Sequence, residues 1–218
     1  MRLVTRSDFD GLACGALLLE LGVIDMWKFV HPKDVQDGEV IVGPNDVLAN
    51  IPYAPGCGMW FDHHATEIAR MGKDKVAEGE CRLAPSCARV VYEYYGGKEK
   101  LPHLEALVAA TDKVDSGRLT IDEIQNPEGW VLLGFLMDPR TGIGRFRQFT
   151  ISNYELMAKL LPLCRSAGID QILAQEDVAE RVKLYKEQSE PFRAMLLEKT
   201  KIHNNVIVTD LRDRKSVV

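Results

Sequence analysis

Three stretches of this chain carry residues able to hold a cation. In SDFDG, Asp8 and Asp10 stand one residue apart, after the apolar run of residues 2–5 and before the helix-forming residues 12–21. Ligands in an open α/β sheet collect beyond the carboxyl ends of strands, so two carboxylates there make a cation site, and Gly11 allows the tight turn. The same spacing also fits a helix N-cap beside a surface acid. The second stretch is Asp62, His63 and His64, which follow the apolar run GMWF. Imidazole suits Mn²⁺, Fe²⁺ or Zn²⁺, and the aspartate can accept an N–H from a histidine and fix its tautomer. Successive residues of an extended segment point opposite ways, so one histidine is expected to reach a metal and the other to face the substrate. Third, VAATDKVDSG ends a helical run with Asp112 and Asp115. Acids at a helix C-terminus oppose its dipole at a cost of up to about 1 kcal/mol unless a cation compensates. Arg140, Arg145 and Arg147, set among glycines in DPRTGIGRFR, offer a phosphate site or a solvated basic loop.

These residues need a scaffold. Short apolar runs predict strands at residues 2–5, 27–30, 47–51 and 58–61. Ser86 is placed to cap a helix through CARVVYEYY that Gly96 and Gly97 stop, and residues 102–112 read as another helix. From Glu128 onward helices alone are expected, at residues 128–137, 152–164 and 170–199. In the last of these, Ile172, Leu173, Val178, Val182, Leu184 and Tyr185 recur near helical spacing, which fits a core-facing stripe better than a partner-docking surface. Residues 206–209 form one more β-like run, which must join the sheet or belong to a fragment, because a lone strand is unstable. The expected division is an α/β core over residues 1–125, a helical extension and linker helix over 126–198, and the start of a further lobe over 199–218.

With 218 residues, 46% hydrophobic and 27% charged, the chain can bury a core and is not disordered. No apolar run approaches the ~20 residues that span a bilayer, and the start MRLVTRSDFDG has no signal-peptide core, which points to the cytoplasm. Five cysteines without CxxC spacing read as reduced thiols. A net charge of −5 argues against sequence-blind binding to long nucleic acid, while small phosphorylated substrates and short oligonucleotides stay open.

SDFDG, FDHHAT and AATDKVDSG occur in the order and approximate spacing of the DHH phosphoesterase superfamily, a resemblance that covers roughly the first 120 residues. NIPY, DPRTGIGRF and ISNYELM resemble bacterial exopolyphosphatase-related and RecJ-like DHH proteins. The resemblance implies a Rossmann-like parallel sheet flanked by helices, two Mn²⁺ or Mg²⁺ ions at the strand ends, and a smaller C-terminal lobe closing over the substrate. It implies metal-dependent hydrolysis of a phosphodiester or phosphoanhydride in a short oligonucleotide, cyclic dinucleotide or polyphosphate. Asp8 would face one ion, and Asp10, His63 and Asp112 the other. His64 would touch the phosphate as donor or leaving-group acid, with Asp62 orienting the histidines. Two positions depart from the family pattern: Arg6 stands where a metal-binding histidine is common, and Asn50 where an aspartate bridges both ions, with Asp46 the alternative for that role. Arg6 cannot ligate a cation but can pair with a phosphate oxygen or a nearby acid. One metal instead of two then follows, or a degenerate member that binds a nucleotide or phosphate without hydrolysing it. Residues 199–218 contain no glycine-rich, histidine-bearing phosphate grip, so the C-terminal lobe reads as incomplete and Arg145 as a substitute contact. A homodimer is left open.

Overall fold

The computed structural model describes residues 1–71, 77–138 and 149–210. Arg140, Arg145 and Arg147 lie outside the described residues. In chain order the elements are β1 (Arg2–Arg6), α1 (Phe9–Glu20), β2 (Met26–Val30), α2 (Pro32–Gln36), β3 (Asp46–Ala49), β4 (Met59–Asp62), α3 (Ala65–Met71) and β5 (Glu78–Cys81). They continue with α4 (Cys87–Tyr94), α5 (Glu105–Ser116), α6 (Ile121–Gln125), α7 (Gly129–Met137), α8 (Asn153–Ser166), α9 (Ile169–Leu173), α10 (Glu176–Lys199), β6 (Thr200–His203) and β7 (Val206–Thr209).

The first five strands form one parallel sheet in the order β2-β1-β3-β4-β5. Thr5 of β1 lies opposite Ala49 of β3, and Ala49 opposite Phe61 of β4, so three strand ends open on the same edge. The chain runs outward from β1 to β2 and then crosses back past β1 to β3 and on to β4 and β5, which makes the gap between β1 and β3 the switch point where such sheets bind ligands. The sheet is covered on both faces, as parallel sheets require. Leu3, Val47 and Phe61 join the core built with α1, α4, α5, α7 and α8, while Val4, Leu48 and Trp60 pack on the opposite side with Val30, Val35 and Ile51.

Helix α1 is buried from Phe9 to Leu18, because the sheet, α4, α5 and α8 surround it. That explains why it is apolar on every side. Gly15 admits α8: a Cβ there would stand 2.4 Å from Leu161. Leu133 and Leu136 of α7 and Leu156 and Leu160 of α8 belong to the same apolar core as Leu12, so the helices after residue 126 pack directly on the α/β layer.

The long helix expected over residues 170–199 is two helices, α9 and α10, parted at residues 174–175. Its stripe faces inward, with Ile172, Val178 and Leu184 buried, which removes the partner-docking reading. The strand at Val206–Thr209 does not join the main sheet; it pairs antiparallel with Thr200–His203 as a hairpin turned at Asn204, whose φ of 54° is left-handed. The sequence did not predict α2, α3, β5, α6 or β6. The edge strand β5, EGEC, has no apolar alternation and is held by backbone pairing to β4, where Gly79 sits with φ 108° and a Cβ would meet the Trp60 carbonyl oxygen at 2.3 Å.

Candidate metal centre

Asp8 and Asp10 leave β1 at the start of α1 and diverge. Asp8 is the N-cap, its Oδ1 accepting the Gly11 N–H at 2.9 Å. The turn is so close that a Cβ on Gly11 would lie 2.1 Å from the Arg6 carbonyl oxygen, so the glycine serves close approach. Asp8 Oδ1 also accepts from Asn50 Nδ2 at 3.0 Å, and its Oδ2 lies 3.0 Å from Arg6 Nε. Asp10 points the other way, beneath α4. Its Oδ2 accepts the Cys87 N–H and its Oδ1 the Ala88 N–H, both at 2.8 Å, so an only 2% exposed carboxylate answers the orphan donors of that helix start.

At the end of β4, one oxygen of Asp62 organises both histidines. Asp62 Oδ1 accepts the His63 N–H at 2.7 Å, the His64 N–H at 3.3 Å and His64 Nδ1 at 2.7 Å. That carboxylate holds the His64 pKa above its ordinary value. His63 turns inward, with Nδ1 3.2 Å from the Ala84 carbonyl oxygen. A carbonyl only accepts, so Nδ1 carries the hydrogen, and the neutral ring presents a lone pair at Nε2. Nε2 is buried with no hydrogen-bond partner, 3.6 Å from Asp10 Oδ2 and 3.3 Å from Asp115 Oδ2.

The sequence reading put Asp112 in that position, and the structure puts Asp115 there. Helix α5 continues to Ser116, one turn beyond the expected end, so both acids lie on it three residues apart. Asp112 faces α4, where its Oδ1 accepts from Ser86 Oγ at 2.7 Å and its Oδ2 from Arg89 Nε at 2.9 Å and a terminal Arg89 nitrogen at 2.6 Å. Those three donors turn both oxygens of Asp112 toward α4. The alternative placement of Asp46 also fails: Asp46 begins β3, at the opposite end of the sheet, in a bidentate pair with Arg2. Asn50 is at the site, 2% exposed and in a left-handed conformation with φ 56°, but its amide turns a donor nitrogen toward Asp8 in place of a ligand oxygen.

A cavity of about 140 Å³ opens among Arg6, Asp8, Asp10, Asp115 and Asp138. Among the described residues, four carboxylates and one guanidinium line it. Burial first, then Asp115 and Asp8, push Asp10 well above the usual carboxylate range; burial also raises Asp8. Asp138, at the end of α7, was missed from the sequence; its one signal is an acid in front of Pro139 where an apolar helix stops.

A divalent cation fits this arrangement. Ligand atoms of Asp10, His63 and Asp115 lie within 4.8 Å of one another, and a buried imidazole lone pair aimed between two carboxylates is unfavourable without a positive partner. Asp62, His63 and His64 are as close together; Asp62 Oδ1 is taken by three N–H donors that orient both histidines, while its Oδ2 is buried without a hydrogen-bond partner. The pair Asp8–Asn50 fits a second cation poorly, since Arg6 and the Asn50 amide present positive ends to both Asp8 oxygens.

Fold and site together define a doubly wound α/β protein with an acid–histidine centre at the switch point of its sheet. Among solved structures it is similar to a pGpG-specific phosphodiesterase, PggH, from Vibrio cholerae, with 42% sequence identity over 99% of this chain and 69% of that one and a TM-score of 0.87. No family model matches the chain, and no curated protein does. By that identity and coverage the chain belongs to the DHH phosphoesterase superfamily. Among the described residues, no helix is long and apolar enough to cross a membrane.

Proposed function

We propose that this protein is a divalent-metal-dependent phosphodiesterase that hydrolyses a short linear oligonucleotide, with a 5′-phosphorylated dinucleotide the preferred size. The observation that carries the reading is the buried Nε2 of His63, without a hydrogen-bond partner, between Asp10 and Asp115. The activity in the name of the similar phosphodiesterase supports the choice of a dinucleotide over polyphosphate. Asp10, His63 and Asp115 hold one Mn²⁺ or Mg²⁺ ion, which supplies water activation at neutral pH and neutralises phosphate charge. Arg6 borders the cavity with a half-exposed side chain, its Nε on Asp8 and its remaining N–H groups placed for a non-bridging phosphate oxygen. His64 is oriented by Asp62 through Nδ1, which leaves Nε2 to donate to the phosphate or the leaving oxygen. Asp112, Arg89 and Ser86 form a brace that fixes the start of α4, and with it the two backbone donors on Asp10. The reading places the protein in the cytoplasm, consistent with five free cysteines.

The Arg6–Asp8 pair favours a second reading, a degenerate member that binds nucleotide without cleaving it. One experiment separates them. Purified protein is incubated with pGpG and Mn²⁺ or Mg²⁺, with and without EDTA, and mononucleotide release is followed by chromatography. Metal-dependent release is expected; tight binding of pGpG with no release by the metal-loaded protein establishes the binder instead.

A further inference from the structure

The cavity at the metal centre is lined mostly by charged groups and is too small for a nucleoside. Beside it, beyond the ends of β1 and β2, a second cavity of about 710 Å³ shares Arg6 with the first. That volume lies in the range of nucleotide-sized ligand sites. On one wall Tyr154, at the start of α8, is 48% exposed and rests at 90° on Phe29 with ring centroids 5.8 Å apart. A half-exposed ring braced by a second ring offers a stacking surface for a base.

The polar wall carries carboxylates and donors together. Asp34 and Glu39 line the cavity, and neither carboxylate has a hydrogen-bond or ion-pair partner among the described residues. Lys28 and His31 supply donors; His31 Nδ1 accepts the Lys33 N–H at 3.2 Å, so its Nε2 carries the hydrogen. Guanine offers adjacent N1–H and N2–H donors together with O6 and N7 acceptors, the complement of such a wall. Adenine places a lone pair at N1, where a carboxylate repels it.

We propose that this second cavity binds the guanine base of a nucleotide whose phosphate lies at the metal centre, with Tyr154 stacking on the base and Asp34 and Glu39 selecting guanine over adenine. The assignment rests on the phosphodiesterase reading above for the position of the phosphate.

The test is calorimetric titration of the Mn²⁺-loaded 218-residue chain with GMP and with AMP. GMP is expected to bind at least about tenfold more tightly than AMP, the discrimination of one good paired contact. Asp34→Asn and Glu39→Gln should each shrink that ratio, and Tyr154→Ala should weaken both nucleotides alike. Thermal melts of the variants report that each is folded. Equal affinities in the wild type, binding of neither nucleotide, or a GMP preference retained in both carboxylate variants overturns the assignment. Wild-type release of mononucleotide from pGpG in the presence of Mn²⁺ separates the two readings. Hydrolysis without a GMP preference removes the guanine cavity alone, and a GMP preference without hydrolysis removes the enzyme alone.

Discussion

Arg6 Nε lies 3.0 Å from Asp8 Oδ2, while Asn50 Nδ2 lies 3.0 Å from Oδ1 of the same carboxylate. Each oxygen of Asp8 thus meets a nitrogen donor, and the guanidinium, which does not deprotonate, sits where a cation would be drawn. The expected stoichiometry is one tightly held divalent ion per chain. Elemental analysis after gel filtration measures it; two ions in the wild type would show that Arg6 swings away. Replacing both residues, Arg6→His with Asn50→Asp, removes a positive charge and adds a negative one, and should raise the count to two.

Asp112 and Asp115 should separate cleanly on substitution. Asp115→Asn removes a charged partner of His63 Nε2, and metal affinity should fall by at least about tenfold. Asp112→Asn leaves Arg89 without its close carboxylate, costing about 1–2 kcal/mol, seen as a Tm lower by a few degrees with metal affinity largely kept. The opposite pattern in a metal titration and a thermal melt would exchange the roles given to the two acids.

The two histidines should fail in different ways. His63→Gln abolishes tight metal binding. His64→Gln keeps the ion but lowers kcat on pGpG by roughly 10²–10⁴-fold, the usual contribution of a positioned proton donor. Loss of metal in the His64 variant would instead make that residue a ligand.

Stability should depend on pH in a direction set by the buried acids. Burial raises Asp8 and, with Asp115 and Asp8 nearby, raises Asp10 well above the ordinary 3.8. The metal-free folded protein therefore keeps protons that the unfolded chain has already released, and its stability declines as pH rises from 3.8 through the raised folded values. A cation relieves that penalty because it binds the ionised form. Melting in EDTA should give a lower Tm at about pH 8 than at about pH 5, and Mn²⁺ should raise Tm more at the higher pH. Asp10→Asn should flatten the metal-free slope; an unchanged slope would place its origin elsewhere.

Much of the centre was legible because its signals are local. Asp8 as a capping residue, Asp62-His63-His64 at a strand end and Ser86 before α4 all follow from hydrogen bonds and periodicity within a few residues of chain. The same local rules failed where the sequence is silent or symmetrical. Strand β5 carries no apolar pattern, and β7 found its partner in the adjacent residues 200–203, to which no element was assigned.

The sequence alone determined which residue types reach the carboxyl ends of β1 and β4, and hence that acids and an imidazole would gather there. Tertiary packing decided which acid completes the group. Asp112 and Asp115 are three residues apart on one helix, about 60° around its axis, so either can face inward until the contacts of α5 with α4 and α7 fix its rotation. Packing also brought Asp138 from the end of α7 and closed Arg6 onto Asp8. Convergence of charge across distant segments costs desolvation and repulsion that only the assembled core can impose, and no short window of chain contains those terms.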